Sequence, residues 1–218
     1  MLNKLIKFIE LPFYEKLNLF SVIYYRIKTQ YFYKLFFKNI GKRTTIKKPI
    51  LLINIQKVDI QENVFIRDSA RIECIISKGI QKFNPKLTIE NGVSFEQRCH
   101  IIVGGDLTIG KNAMISFDVM ITDTEHEYEN VDLPVATQPL KVSKTYIGEN
   151  CFIGSGVKIQ AGTILGKHCV VGANSVVRGI FPDYCVIVGI PARIIKRYDE
   201  KSRIWEKTNN KGEFLNEI

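Results

Sequence analysis

The chain has 218 residues, a net charge of +9 and a hydrophobic fraction of 45%, values that fit a globular protein and exclude a disordered one. It contains no apolar run of about 18 residues, so we expect no transmembrane helix. Its five cysteines are odd in number and form no CxxC pair, which favours buried thiols over a disulfide framework or a zinc site. We therefore expect a cytoplasmic protein.

The excess positive charge lies entirely in the N-terminal segment, residues 1–48, which hold 11 Lys and Arg against 2 Asp and Glu. This segment is rich in aromatic residues, residues 1–40 read as helical, and Pro12 is expected to end or kink a first helical piece. Two roles stay open: a cap that buries aromatics on the next domain, and peripheral contact with anionic lipid at the inner face of the membrane. Nucleic acid is not expected as a partner, because no nucleic-acid fold motif accompanies the charge.

A six-residue repeat begins at Ile147. The successive units are IGENCF, IGSGVK, IQAGTI, LGKHCV, VGANSV and VRGIFP. The first position is always Ile, Leu or Val, and the fifth is small or β-branched in the first five units. The same phase returns upstream from Ile60 and from Ile109. Spacing of six does not keep one face of an α-helix, whereas a short strand plus a tight turn repeats naturally at this length.

Three such units close one triangular coil, so the repeat predicts a parallel β-helix. The first-position aliphatics would point inward and stack coil on coil, about 4.8 Å apart. The small fifth residue would fit the crowded interior, and the second-position glycines and the asparagines would supply the positive φ of the turns. Cys151 and Cys169 lie one coil apart and are expected to stack at the same corner as apolar filler.

Two segments, 77–86 and 123–146, break the repeat. Pro134 and Pro139 in the second segment disfavour strand pairing. Loops that leave a rigid scaffold often carry functional residues. The expected organisation is a basic aromatic helical extension (1–48), a β-helix domain with one long excursion loop (49–196) and a C-terminal tail (197–218).

The repeat units resemble those of the hexapeptide-repeat acyltransferases. The resemblance covers residues 50–196, is strongest over 147–192, and favours the galactoside, maltose and polysaccharide O-acetyltransferase branch through the ending VGIPARIIK. The string DTEHEYENVDLPVATQPL resembles the corresponding loop in sugar O-acetyltransferases of surface-polysaccharide pathways. The resemblance implies a mainly β fold with a left-handed parallel β-helix, a homotrimer with sites between subunits, and acetyl-CoA as acyl donor without a metal.

Acetyl transfer needs a base for the acceptor proton, a positioned thioester and donors to the oxyanion. The resemblance assigns the general base to His126 in the excursion loop. Asp123 and Glu125 flank it and are candidates to orient the imidazole, although solvated loop positions fit them equally. Asp118 is a further acid that could contact a sugar hydroxyl. Relatives often read D-H-x-H in this loop, and here Thr124 stands in place of the first histidine.

The resemblance also places the pantetheine arm of the donor in a groove between adjacent subunits. Phe152 stands where relatives often have Trp, and Ser155 matches a position that helps hold the thioester. The backbone amides of Gly154 and Ser155 are candidate oxyanion donors, and the amide of Ala173 is a candidate partner of pantetheine. The basic residues that the resemblance places near the adenosine phosphates are Arg178, Arg193 and Lys196.

Together these features predict an acetyl-CoA-dependent O-acetyltransferase acting on a sugar hydroxyl of a bacterial surface polysaccharide or its precursor. Three alternatives stay open: N-acetylation of a nucleotide-linked amino sugar, a catalytically inactive relative, and a metal-binding β-helix protein like the carbonic-anhydrase relatives. The metal site of those relatives uses the spacing H-x-x-x-x-H, which His100, His126 and His168 do not provide. His100 is expected to face solvent, and His168 is expected to be a turn residue.

Overall fold

The structure, a computed structural model, describes residues 9–215. Three parallel sheets form the sides of a triangular prism, and each coil of the chain contributes one strand to sheets A, B and C in turn. Sheet A contains β1 (Asn39–Ile40), β4 (Val58–Ile60), β9 (Lys86–Ile89), β12 (Asp106–Ile109), β17 (Thr145–Ile147), β20 (Ile164–Leu165) and β23 (Ile180–Phe181). Sheet B contains β2 (Thr45–Ile46), β5 (Phe65–Ile66), β10 (Ser94–Phe95), β13 (Met114–Ile115), β18 (Phe152–Ile153), β21 (Val170–Val171), β24 (Cys185–Gly189), β25 (Ala192–Asp199) and β26 (Ile204–Lys207). Sheet C contains β3 (Leu51–Ile53), β6 (Arg71–Cys74), β11 (His100–Val103), β14 (Met120–Thr122), β19 (Lys158–Ile159) and β22 (Val176–Val177).

The first-position aliphatics of the repeat build the interior of the prism. Ile147, Ile153 and Ile159 end strands of sheets A, B and C in one coil, and all three are fully buried. Parallel pairing places Ile147 between Ile109 and Leu165, so equivalent residues of successive coils form one column. This confirms the predicted left-handed parallel β-helix, in which each coil buries its apolar side against the next.

The turns correct one expectation about glycine. Positive φ occurs at the fourth position of the repeat, for example at Asn150 (57°) and His168 (54°), and the second-position glycines do not have it. A Cβ atom on Gly148 would instead overlap the carbonyl of Gly166 in the next coil. The second position therefore needs glycine because successive coils approach too closely there for a side chain.

The first coil begins at Asn39, before the expected domain boundary at residue 49. Strand β1 pairs with β4, and β2 pairs with β5, both in parallel. Ile40 and Ile46 are fully buried in the core of the prism. The basic stretch between them, GKRTT, conceals this coil in the sequence, because its charge resembles that of the helical extension.

The helix α1 (Phe13–Tyr31) precedes the first coil, with Pro12 at its N-terminal cap position, and a short 3-10 helix (Tyr33–Leu35) follows it. Buried Thr29 fixes the helix to β2, since its hydroxyl accepts a hydrogen bond from the amide of Ile46 at 2.8 Å. Tyr33 and Phe37 are buried against the first coil, so part of the extension caps the prism. No helix within residues 9–215 has the length and hydropathy that crossing a membrane requires.

Both interruptions of the repeat leave the prism at the edge where sheet C meets sheet A, which we call the C–A edge. Each forms an antiparallel hairpin: β7 (Ser77–Lys78) with β8 (Gln81–Lys82), and β15 (Thr124–His126) with β16 (Leu140–Val142). Two more 3-10 helices are present: Ile55–Lys57 lies between β3 and β4, and Val135–Thr137 lies in the loop between β15 and β16. The two prolines of this segment were expected to disfavour strand pairing. Pro139 lies just before β16, so it does not prevent β16 from pairing with β15.

The C-terminal end of the prism folds back on itself. Strand β25 pairs antiparallel with β24, and β26 pairs antiparallel with β25, so the expected polar tail contributes a strand. All five cysteines are buried and free, and Cys151 and Cys169 occupy equivalent positions of successive coils, as predicted. Burial raises the pKa of the Cys74 and Cys99 thiols to about 12.

The column of inward aliphatics yields a stability prediction. Ile153→Ala removes a fully buried side chain and leaves a cavity, so we expect the free energy of unfolding to fall by about 2–5 kcal/mol. Ile180→Ala, at a position 78% exposed, should change it by less than about 0.5 kcal/mol. Denaturant unfolding of both variants measures the difference, and equal losses would contradict the inward assignment.

Candidate active site

The structure places most of the predicted site residues on the two edges of sheet C. One group lies at the C–A edge, on or beside the second hairpin: Asp123, Glu125, His126 and Arg178. The other lies at the opposite edge, where sheet B meets sheet C and which we call the B–C edge: Asp118, Gly154, Ser155 and Ala173. Phe152 lies beside this second group on β18 and is 40% exposed.

Asp123 fixes the base of the second hairpin. Its carboxylate is fully buried and accepts hydrogen bonds from the amide of Gly104 at 2.6 Å and from the amide of Gly105 at 2.8 Å. Its own carbonyl accepts a bond from the amide of Ser143 at 2.8 Å. Both carboxylate oxygens are thus bound to the preceding coil, and Asp123 holds the hairpin and not the imidazole of His126.

Glu125 and Arg178 form a two-pronged ion pair. Each of the two terminal nitrogens of the guanidinium group lies 2.9 Å from one oxygen of the carboxylate. Arg178 follows β22, two strands along sheet C from β14, so the pair ties the hairpin to a later coil. Since the Arg178 side chain is 60% exposed, the pair stabilises the hairpin by only about 0.2–1 kcal/mol. Arg178 was expected to lie near the phosphates of the donor, but in this structure its guanidinium group is paired with the carboxylate of Glu125.

His126 is exposed, and its Nδ1 atom lies 2.9 Å from the Nζ atom of Lys78 in the first hairpin. A lysine ammonium group can only donate, so this contact assigns the lone pair to Nδ1 and the proton of the neutral ring to Nε2. The hydroxyl of Thr124 lies 3.0 Å from that of Thr122.

The first hairpin braces the second, which the sequence analysis did not find. The amide of Leu140 donates to Oε1 of Gln81 at 2.8 Å, and the Gln81 side-chain amide donates back to the Leu140 carbonyl at 3.3 Å. Lys78 adds its contact with His126. The sequence held one indication that the two hairpins are neighbours, since both interruptions follow a strand of sheet C. That indication becomes visible only when each strand of the repeat is assigned to one of the three sheets.

A groove of about 710 Å³ runs along the B–C edge and contains Asp118. Arg98 donates to both oxygens of Asp118, from Nε at 2.6 Å and from a terminal nitrogen at 2.7 Å, and this pairing lowers the pKa of the Asp118 carboxyl. Lys158 donates to the Asp118 carbonyl at 2.9 Å. His100 also lines this groove and is partly buried, unlike the solvent-facing position expected for it. Burial, followed by the nearby charges of Arg71 and Lys158, lowers the pKa of His100.

Two backbone amides lie in turns of the B–C edge, each next to a residue that lines the groove, Gly156 or Asn174. The Gly154 amide already donates to the Val171 carbonyl at 2.9 Å. Within the part of the chain that the structure describes, the amides of Ser155 and Ala173 donate to no protein acceptor. A Cβ atom on Gly154 would lie 2.7 Å from the Ala173 nitrogen, so glycine is needed for these two turns to stack.

The predicted phosphate-binding residues other than Arg178 lie on β25. Arg193 pairs with Val188, whose side chain packs beside Gly172, so Arg193 lies near the end of the B–C edge. Lys196 lies farther along β25, opposite Val186, and both basic side chains are exposed. Among residues 9–215, no cluster of three or more His, Cys, Asp or Glu side chains is placed to hold a metal ion.

Comparison with known proteins adds the family context. Residues 144–179 match the family model described as bacterial transferase hexapeptide (six repeats). The chain is 32% identical over 169 residues to WbbJ of Escherichia coli K12, named as a lipopolysaccharide biosynthesis O-acetyl transferase, and the match covers 74% of this chain and 83% of WbbJ. It is also 32% identical over 102 residues to the galactoside O-acetyltransferase of the same organism, covering 44% of this chain and 47% of that protein.

Among solved structures, the chain is similar to AntD, an N-acyltransferase from Bacillus cereus crystallised with dTDP and 3-hydroxybutyryl-CoA. The TM-score is 0.65 with 22% sequence identity, and the superposition covers 80% of this chain and 90% of AntD. At this identity the likeness shows a shared fold.

The buried carboxylate of Asp123 predicts a pH dependence. Burial raises its pKa, against the opposing hydrogen bonds from Gly104 and Gly105, so the folded state binds the proton more readily than the unfolded state. The stability that this group contributes is therefore complete below the unfolded pKa of about 4 and is lost as the pH rises through the higher folded pKa.

Asp123→Asn isolates this contribution. We expect the free energy of unfolding of the parent chain minus that of the variant to fall as the pH rises through this window and then to level off. Chemical denaturation across the pH range gives the difference directly. A difference that stays constant, or that grows with pH, would show that the pKa of Asp123 is not raised.

Proposed function

This chain belongs to the hexapeptide-repeat acyltransferases, and on that premise we propose that it transfers the acetyl group of acetyl-CoA to a sugar hydroxyl of a bacterial surface polysaccharide or its precursor. The observation that carries the proposal is the exposed imidazole of His126, held on a braced hairpin in the loop that interrupts the repeat. The similarity to WbbJ supports the acceptor class.

In the proposed reaction His126 is the general base. Its Nδ1 atom holds the lone pair, so the acceptor hydroxyl takes the place of the Lys78 ammonium group beside that nitrogen. The hydroxyl proton passes to the imidazole as the oxygen attacks the thioester carbonyl carbon. When the carbon–sulfur bond breaks, the imidazolium returns the proton to the CoA thiolate. The acetyl ester and CoA are the products.

The groove along the B–C edge suits the donor. The Ser155 amide, which has no acceptor within residues 9–215, can donate to the oxyanion. The Gly154 amide is not available for this role, because it already donates to the Val171 carbonyl. The Ala173 amide is a free donor for a pantetheine carbonyl one coil further on. Phe152 supplies an exposed apolar surface beside them. Arg193 and Lys196 lie exposed on β25, where they suit the phosphates of CoA.

The separation of the two groups supports a homotrimer with sites between subunits. Asp118 precedes β14 and Asp123 follows it, so the two groups lie on opposite edges of sheet C. A general base must lie within hydrogen-bond reach of the acceptor, which must itself contact the thioester. A neighbouring copy whose B–C edge packs against the hairpin would bring Ser155 of one subunit to His126 of the other.

Histidine variants test the base assignment. We expect His126→Gln to lower kcat about 10²–10⁴-fold, because the hydroxyl proton loses its acceptor. Thiol release from acetyl-CoA would be followed with a panel of sugars, polysaccharide precursors and nucleotide-linked amino sugars. His168→Gln is the matched control, since His168 is exposed at a turn outside the site, and it should retain full activity.

His100→Gln in the same assay separates the two edges of sheet C. Loss of kcat in this variant with full activity in His126→Gln would move the base to the B–C groove. Acetylation of amines alone, with no hydroxyl acetylated, would replace the proposed O-acetyl transfer by N-acetyl transfer. No thiol release with any acceptor would support the inactive alternative that Thr124 left open.

Arginine variants test the phosphate contacts. Arg193→Gln should raise KM for acetyl-CoA about tenfold with little change in kcat, because it removes a charge-assisted hydrogen bond from an exposed guanidinium. Arg178→Gln should raise KM for acetyl-CoA less, since the Arg178 guanidinium is paired with Glu125, and Glu125→Gln should reproduce its effect. If Arg178→Gln alone raises KM for acetyl-CoA while Glu125→Gln does not, Arg178 contacts the phosphates directly.

A further inference from the structure

The helix α1 has two apolar faces, and the prism uses only one of them. Its inner face carries buried Tyr25 and Thr29, which pack on the first coil. On the opposite side, at intervals of three and four residues, lies what we call the outer stripe: Phe13, Leu17, Phe20, Tyr24, Ile27 and Tyr31. At about 100° per residue, these six residues fall within roughly 40° of one line along the helix.

The outer stripe is exposed along its length. The exposed fractions of its residues are 76% for Phe13, 48% for Leu17, 56% for Phe20, 59% for Tyr24, 54% for Ile27 and 79% for Tyr31. The apolar surface continues past the helix through Phe32, Leu35 and Phe36, each at least 50% exposed. Aromatic rings present roughly 150–250 Å² each. The patch therefore exceeds the few hundred Å² that soluble monomers normally expose.

Basic residues border the outer stripe on both sides. Lys16 and Lys28 lie at roughly 60° to either side of its centre line, and Lys28 places its ammonium group 5.1 Å from the centre of the Tyr33 ring. The acidic residue of the described helix, Glu15, projects toward the prism side instead. Aromatics at the centre with lysines at both borders are typical of a helix that lies in a membrane interface.

We propose that the outer stripe lies in the headgroup region of an anionic lipid surface, with α1 parallel to the membrane plane. Charge complementarity favours lipid as the occupant, because the excess charge of the chain lies in residues 1–48 and the rest is neutral. A second copy of the helix suits the stripe less well. Four of its six residues are aromatic where coiled-coil seams use Leu, Ile and Val, and lysines from the two copies would approach one another at the borders.

The contacts of α1 fix how the prism would sit on the surface. Arg26 donates to the Thr45 hydroxyl at 3.2 Å, and Gln30 donates to the Gly41 carbonyl at 3.0 Å, so the C-terminal end of the helix lies against the first coil. Its N-terminal end lies over sheet B, where Tyr14 and Gln97 line a common groove. Sheet B of the early coils therefore faces the membrane, with α1 between them. This inference does not depend on acetyl transfer.

Vesicle flotation of the full chain tests the proposal. Wild-type protein should float with vesicles of phosphatidylcholine and phosphatidylglycerol, bind phosphatidylcholine alone more weakly, and lose binding as salt is added. The variant Tyr24→Gln/Ile27→Gln/Tyr31→Gln keeps good helix formers but removes half of the outer stripe, so its partition coefficient should fall at least about tenfold. Circular dichroism confirms that the helix remains.

The matched control is Ile80→Gln/Ile180→Gln/Ile190→Gln, which removes three aliphatic side chains that are 99%, 78% and 73% exposed elsewhere on the protein. It should float like wild type. A second variant, Lys16→Gln/Lys28→Gln, keeps the stripe and should lose preference for phosphatidylglycerol. Equal flotation of the stripe variant and wild type would overturn the proposal. So would a wild-type chain that does not float while the stripe variant dissociates an oligomer, because the stripe would then join copies of the chain.

Discussion

The close stacking of successive coils is the constraint on which the rest of this structure depends. Parallel in-register pairing brings equivalent residues together, so every coil must repeat the inward aliphatics and leave room where its backbone meets the next. Gly148 and Gly154 are required because a side chain at either position would overlap the backbone of the next coil. The flat sides and tight turns leave little space for polar side chains inside the prism, and the candidate functional groups therefore lie along its edges.

The two edges of sheet C carry the two groups of candidate site residues. At the C–A edge, Asp123 binds two amides of the preceding coil and Glu125 binds Arg178, so the hairpin is held from both directions along the prism axis. The B–C edge carries a groove, and the turns of the same edge hold the amides of Ser155 and Ala173, which donate to no acceptor within residues 9–215. In the proposed assignment, a base on one edge and a donor groove on the other would place the catalytic unit at an interface between copies.

The repeat made the central coils predictable, since Ile147, Ile153 and Ile159 had to share one environment. The first coil was hidden because Ile40 and Ile46 are inward aliphatics without the repeating glycine pattern around them. The contacts of His126 with Lys78 and of Glu125 with Arg178 join segments 48 and 53 residues apart, and no local pattern encodes such pairings. The sequence likewise did not determine which side of α1 is exposed. The many aromatic residues of the N-terminal segment fit both a cap on the prism and a membrane contact.

The most direct test of this account is activity in mixed oligomers. His126→Gln removes the base from one edge of the chain, and Ala173→Trp blocks the donor groove at the other, where Ala173 is exposed. Each variant alone should be inactive, whereas differently tagged copies assembled together should regain thiol release from acetyl-CoA, because some interfaces combine two intact edges. Mixed oligomers that form but stay inactive would contradict a site shared between subunits.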